Sequence, residues 1–412
     1  MASREQQLEL QMPVAAGTWQ RIKGWYASQQ SNLLYDRQLL LIMLALAALG
    51  LVMVTSASMP VGERLTGNPF YFMLRHGMYM AFSLVVAGVV LTQPMSRWEQ
   101  MNGWLCLAAI VMLIAVLFVG HTVNAATRWI RIGPMTLQVA EFAKLFFFVF
   151  LASYLHRRHD EVRKNLKGFF KALILLGFIS MLLLLQPDLG TVVVVAMTSM
   201  GMLFLAGARI MQFFAVALTL LIALLLLIII EPYRMRRVTS FWSPWDDPFG
   251  SGYQLTQSLM AFGRGDWFGQ GLGNSVQKLQ YLPEAHTDFI ISIMAEELGF
   301  IGVVVTVLLL FALVVKALFL GQRALRQKRP FSGYLAHGIG IWFGFQTMVN
   351  VGAAAGLIPT KGLTIPFISY GGSSLLAMTI ALAILLRIDY ELRVNYRDPG
   401  QKPVSRVRGG AQ

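Results

Sequence analysis

The sequence predicts an all-α polytopic membrane protein of about ten transmembrane helices, with one large extracytoplasmic loop between spans seven and eight. Three observations predict it. Of 412 residues, 56% are hydrophobic and only 13% are charged, whereas a soluble domain carries about a quarter charged residues. Mean hydropathy is +0.60. Apolar runs such as LLLIMLALAALGLVMV and ALTLLIALLLLIII recur, and roughly 18 or more such residues suffice to cross the hydrocarbon core as a helix.

Taken in order, the expected spans lie at 38–57, 77–93, 103–120, 139–155, 169–185, 190–206, 211–230, 289–320, 334–356 and 366–386. The eighth is too long for one simple crossing, so its first part is expected to be an entry helix or a tilted end. The first apolar run begins near Leu39, after polar residues of mixed charge. That start predicts an uncleaved signal anchor, not a cleavable signal peptide. The domain division follows: 1–37 as a cytoplasmic segment, 38–388 as the membrane domain with a periplasmic loop at 231–288, and 389–412 as a cytoplasmic tail.

Charge sets the orientation. The net charge is +14, and with both termini inside, 23 of the 34 Lys and Arg fall in cytoplasmic pieces. Long loops obey the positive-inside rule poorly, and half of the ten external cations sit in the one long loop. The basic balance is thus membrane topology, and no nucleic-acid partner is expected. The single cysteine, Cys106, lies in an apolar run and is read as a core residue without a redox role. No Cys/His set has metal-ligand spacing. The long loop holds Trp242, Trp245, Tyr253, Phe262, Trp267, Phe268 and Tyr281, residues suited to the headgroup zone.

Candidate chemistry gathers on the external side. YLPEAHTDFIISIMAEELGF places Glu284, His286 and Asp288 at the mouth of the eighth span and Glu296 and Glu297 inside it. A carboxylate there is costly unless it caps a helix, pairs or works. Asp288 reads equally well as an N-cap with Thr287 and as a general base raised by low-dielectric surroundings. Glu296 and Glu297 read as structural polar contacts. In QPDLGT, Asp188 caps the following helix or lies near a site. NAATRWIRIGP offers Arg128 and Arg131, either as phosphate forks or as interfacial anchors beside Trp129. GRGDWFGQGLGNS could form a tight backbone wall near a ligand, but no strand precedes it and it is no dinucleotide fingerprint. Lys361, alone among Pro and Gly in IPTKGLTIPFISYGGSS, is expected to line a pocket. GAAAG at 352–356 suggests close helix packing. One carboxylate among Arg128, Arg131, Arg264 and Lys361 at a membrane surface suits a lipid that carries pyrophosphate.

These residues resemble the SEDS proteins (shape, elongation, division and sporulation), and most of all the division branch. The similarity runs from LLYDRQLLL to LLRIDYE. Its most specific pieces are QPDLGT, FWSPWDDPFGSGYQLTQSLMAFGRG, GQGLGNSVQKLQYLPEAHTDFI and PTKGLTIPFISYGGSS. The resemblance implies a peptidoglycan glycosyltransferase that polymerises lipid II at the outer face of the bacterial inner membrane, at the septum. It implies Asp288 as catalytic residue and Lys361 and Arg128 as functional cations. Arg264, Glu284 and His286 join them as expected substrate-binding residues. It also implies a class B penicillin-binding protein (the division transpeptidase FtsI) and other divisome proteins as partners. No metal site is expected, although a divalent cation such as Mg or Mn could share the leaving-group charge. Where many members read Gln-Pro-Ser/Ala-Glu, this chain has Gln138-Val139-Ala140-Glu141, which bears on a local kink. A lipid II flippase and a division scaffold are the competing classes. A flippase should spread polar residues through the whole bilayer depth, whereas most sit on the external side; Glu141, Lys144 and the Glu296–Glu297 pair are the exceptions.

Overall fold

A computed structural model of the chain describes residues 35–123, 126–133, 135–164, 166–208, 210–230, 235, 239–359 and 362–397. Most of the expected terminal segments, and Lys361, lie outside the described residues. The chain is a helical bundle. Helix α1 is Arg37–Thr66, α2 Tyr71–Thr92, α3 the short Met95–Gln100, and α4 Asn102–Val119. Helix α5 is Val139–Arg157, α6 the short His159–Lys164, α7 Leu166–Leu184, α8 Leu189–Leu205 and α9 Ile210–Ile230. After α9 comes α10, Tyr253–Gly265. Helices α11 (Ile290–Arg326), α12 (Pro330–Ala354) and α13 (Gly372–Arg397) complete the order.

A long helix occupies each position where an apolar run predicts a span. Five of them, α1, α2, α4, α5 and α11, are long and apolar enough to cross a membrane by length and composition. Helix α1 has 30 residues, about 45 Å of rise, so it outruns a hydrocarbon core of about 30 Å. Asp36 fixes its start, its carboxylate accepting from the Gln38 N–H at 2.8 Å and the Leu39 N–H at 3.3 Å.

Helix α5 is the centre of the bundle. Phe147, Phe148, Leu145, Leu151 and even Lys144 are fully enclosed, with α4, α12, α13 and α8 packed around it. The outer helices turn apolar side chains outward instead: Leu74, Met78, Phe82, Val85 and Val89 on α2 are exposed. In lipid such a face loses nothing, because acyl chains are as apolar as leucine.

The fold is not purely α. Between α4 and α5 runs an antiparallel sheet of β1 (His121–Val123), β2 (Ala126–Ile132) and β3 (Met135–Gln138), in the order β1-β2-β3. The cause is local: TRWIRI and MTLQ are rich in β-branched and aromatic residues, and Arg131 pairs with Thr136 and Trp129 with Gln138 across the hairpin. Gln138 ends β3 and Val139 begins α5, so the chain changes direction without a proline. The N–H of Gln138 donates to Ser373 Oγ at 2.9 Å, tying this corner to the start of α13.

Two other departures interrupt the helical pattern. Helix α11 is two helices, broken at Gly299 (φ 70°, ψ −172°). The expected tenth span begins at residue 366, but residues 363–371 are irregular and α13 starts only at Gly372. Leu363, Ile365, Phe367 and Ile368 in that stretch are all buried. Non-helical backbone at such depth is tolerated when protein surrounds it. Ser369 closes it locally, its Oγ accepting from the Ile365 N–H at 2.8 Å.

Candidate functional site

The break in α11 explains the glycine-rich loop. At residues 266–271 the chain enters the gap and supplies the hydrogen bonds the helix loses. The N–H groups of Gln270 and Gly271 donate to the carbonyls of Glu296 and Glu297 at 2.9 and 3.1 Å. The N–H groups of Phe300 and Ile301 donate to the carbonyls of Asp266 and Trp267 at 2.8 and 3.2 Å. Exposed helix-end groups are thus paired by backbone on both sides of the break. Only glycine fits: a methyl on Gly269 (φ 78°) would lie 2.2 Å from the Glu297 carbonyl oxygen. In the described residues this loop serves as a helix plug, not a phosphate cradle.

The two acids at the break are saturated. Glu296 accepts from Ser275 Oγ, from the Val276 N–H at 3.0 Å and from the Gln277 N–H at 3.2 Å. Arg264 Nε stands 3.5 Å from it. Glu297 is fully enclosed, with Lys278 Nζ at 2.7 Å and Ser56 Oγ of α1 at 2.7 Å. A buried pair survives only when further hydrogen bonds satisfy it, and this one has them. Both acids tether the loop between α10 and α11, as the structural reading expects.

Asp288 has a different setting. It precedes α11, whose N-cap is Phe289 and which has no side-chain cap. Its residue is half-buried, and a methyl built on Gly362 would lie 2.9 Å from its Oδ2. Asn350 Nδ2 on α12 donates to the Asp288 carbonyl at 2.9 Å and also to the Leu363 carbonyl. The Tyr370 N–H donates to the His286 carbonyl at 2.9 Å. The turn that carries Asp288 is thus pinned from α12 and from the 363–371 stretch.

Glu284 shapes the same turn. Its carboxylate accepts from Thr287 Oγ1 at 2.6 Å and its carbonyl from the Phe289 N–H at 3.2 Å. His286 lies against Phe72 (4.9 Å between ring centres) and Tyr370 (5.5 Å). Burial pushes its pKa below the usual histidine value, and the nearby Glu284 charge opposes that only partly.

Arg128 and Arg131 point to opposite sides of β2, as their odd spacing requires. Arg128 Nε donates to the Gln186 carbonyl at 3.1 Å, its Nη2 donates to the Pro187 carbonyl, and Asp188 stands 3.9 Å away. Asp188 also caps α8, its carboxylate accepting from the Thr191 N–H at 3.3 Å and Thr191 Oγ1 at 2.8 Å. The helix it starts packs on the 363–371 stretch, since Gly190 faces Leu363. The capping reading of QPDLGT therefore holds. Arg131 is exposed. Arg264 stands at the other end of the first half of α11: Glu296 is eight residues from Asp288, about 12 Å along a helix.

Three groups near the site escape sequence reading. Arg75 on α2 donates to the hydroxyls of Tyr71 and Tyr79, each at 2.9 Å; it is one more cation, hidden at the edge of an apolar run. Gln346 donates to the Thr364 carbonyl at 2.9 Å and accepts from Lys144 Nζ at 3.1 Å, which in turn pairs with Glu141 at 2.8 Å. Asn350 follows Gln346 by one turn. Two carboxamides at i and i+4 in an apolar helix were the available signal, because intramembrane polar groups seldom lack a task. Among the described residues no cluster of His, Cys, Asp and Glu could hold a metal ion.

Such an arrangement defines a class: a helical integral membrane protein with a half-buried aspartate on a turn pinned to a protein-buried loop. The chain belongs to the FtsW/RodA/SpoVE family of cell cycle proteins, whose family model matches residues 37–394. It is 54% identical over 411 residues, 99% of both chains, to a protein of Idiomarina loihiensis named probable peptidoglycan glycosyltransferase FtsW. A protein of the same name from Escherichia coli is 55% identical over 90% of this chain and 91% of its own. Among solved structures, a chain of a peptidoglycan synthase complex that coordinates polymerization and crosslinking matches with a TM-score of 0.70 at 28% identity, covering 89% of this chain and 99% of that one. Thermus thermophilus RodA, a rod shape determining protein, matches at 0.64 and 29%, covering 89% and 98%.

Proposed function

We propose that this chain is a peptidoglycan glycosyltransferase that polymerises lipid II on the outer face of the inner membrane. The observation that carries the reading is the setting of Asp288: a half-buried carboxylate on a turn fixed by Asn350 and Tyr370, in a chain similar over nearly its full length to proteins of that name.

Asp288 takes the proton from the 4-hydroxyl of the acceptor sugar. The freed oxygen attacks the anomeric carbon of the donor from the face opposite its pyrophosphate. The C–O bond to pyrophosphate breaks as the new one forms, giving a β-1,4 linkage and undecaprenyl pyrophosphate. One displacement with inversion needs a base but no enzymic nucleophile. Charge growing on the pyrophosphate needs fixed cations. Lys361, next in sequence to Gly362, is assigned that task. Arg128 contributes positive charge while it holds the QPDLGT turn. Arg264, Glu284 and His286 shape the surroundings of the acceptor and donor heads. A divalent cation such as Mg or Mn would act on the same leaving group.

The reading extends to ten crossings, both termini in the cytoplasm, the domain limits given above and a place at the division septum. It includes a crosslinking partner of the class B penicillin-binding type, supported by the likeness to a complex that couples polymerization with crosslinking, and further divisome proteins. The test is purified protein in proteoliposomes with labelled lipid II, with and without the transpeptidase, and with chelator, Mg or Mn. Long glycan strands are expected. Lipid II crossing the bilayer without polymer would replace this reading with a flippase; neither polymer nor transport would leave a scaffold.

A further inference from the structure

We infer that Asn350 is a positioning residue for the reaction: its carboxamide clamps the turn that carries Asp288 to the stretch that carries Gly362, and so sets where the carboxylate stands. The inference rests on the assignment of Asp288 as the base. Asn350 Nδ2 has two hydrogens and gives one to each side of the site, to the carbonyl of Asp288 itself at 2.9 Å and to the carbonyl of Leu363. Between those two anchors the Asp288 carboxylate faces Gly362, where a methyl would lie 2.9 Å from its Oδ2. A single side chain therefore ties together the two segments that face each other there.

The residue is kept for its donors. Asn350 is fully buried and its Oδ1 has no partner among the described residues. A buried acceptor left unsatisfied is destabilising, so an apolar residue would serve packing alone better. Gln346, one turn earlier, repeats the pattern by donating to the Thr364 carbonyl at 2.9 Å. The rigid helix α12 thus holds consecutive residues of the irregular stretch, and Asn350 also reaches across to Asp288. A group that orients others acts through geometry, and a shift of about 1 Å can cost about 10²-fold in rate.

The test is lipid II polymerisation by the full-length protein, with its transpeptidase partner present, across a range of pH. Asn350→Ala is expected to lower turnover by about 10²-fold, with KM for lipid II near the parent's. Asn350→Asp keeps the shape but loses both donors when ionised. Its turnover relative to the parent is expected to rise as pH falls, because a protonated carboxyl regains one donor. An Asn350→Ala protein with the parent's turnover overturns the inference. So does an Asn350→Asp ratio that stays flat with pH while activity falls only in step with thermal stability. Asp288→Asn is run alongside. If it keeps the parent's turnover, the base assignment fails and the clamp with it. If it is inactive while Asn350→Ala is fully active, only the clamp fails.

Discussion

The first half of α11 carries acids at both ends, and the two ends are built differently. At Glu296 and Glu297 every carboxylate is enclosed and met by several donors, including a lysine, serine hydroxyls and backbone N–H groups. At Asp288 the residue is half-buried, and its backbone carbonyl is held from α12 by Asn350. An acid saturated with donors holds a loop in place and is poorly suited to taking a proton. An acid that stays partly accessible on a clamped main chain is suited to it. Sequence spacing alone does not separate the two, since all three acids lie within ten residues of one helix start.

The largest stability effect should come from the saturated end. Glu297→Ala leaves the Lys278 ammonium buried without its partner and should cost about 3–5 kcal/mol, read as a large drop in melting temperature in detergent. The double change Glu297→Leu with Lys278→Met should recover most of that loss; if it does not, the pair is doing something beyond holding the loop. Next is the plug. Gly269→Ala forces a methyl against the Glu297 carbonyl and an unfavourable φ, for about 1–3 kcal/mol. Hydrogen exchange should then rise at Gln270, Gly271, Phe300 and Ile301, and unchanged protection there would argue against the cross-paired break.

The two arginines of β2 sharpen the contrast on the other side of the site. Arg128→Ala removes donors from two backbone carbonyls and should destabilise by about 1–3 kcal/mol. Arg131→Ala, at an exposed position, should stay within about 0.5 kcal/mol. Equal effects would mean that the QPDLGT turn does not depend on Arg128. The smallest expected effect is titration of His286. Its folded pKa is depressed by burial, so the unfolded chain binds the proton more readily. Stability is full above the unfolded value of about 6.5 and declines as pH falls from there toward the folded value. His286→Phe should flatten that acid-side slope in thermal melts.

The helical frame was legible because apolar length is a strong signal: the runs at 139–155 and 190–206 became Val139–Arg157 and Leu189–Leu205. The Asp188 cap was legible from its place before an apolar run. The sheet was missed because TRWIRI is short and sits between spans, where strand alternation is easily read as a loop. The start of α13 was missed because LTIPFI is as apolar as a span, and hydropathy cannot tell a buried irregular segment from a helix. The tethering of Lys278 and the clamp of Asn350 depend on contacts across 19 and 62 residues, which no local pattern reports. Lys361 falls outside the described residues, so its part stays with the sequence reading.

The most direct test of the central claim compares Asp288→Asn with the parent for lipid II polymerisation and for melting temperature in the same preparation. A carboxamide keeps the size of the side chain and removes its basicity. The account predicts an unchanged melting temperature and a fall in turnover of about 10²–10⁴-fold, the usual range for losing a general base. An Asp288→Asn protein that melts like the parent and still polymerises at the parent's rate would contradict it.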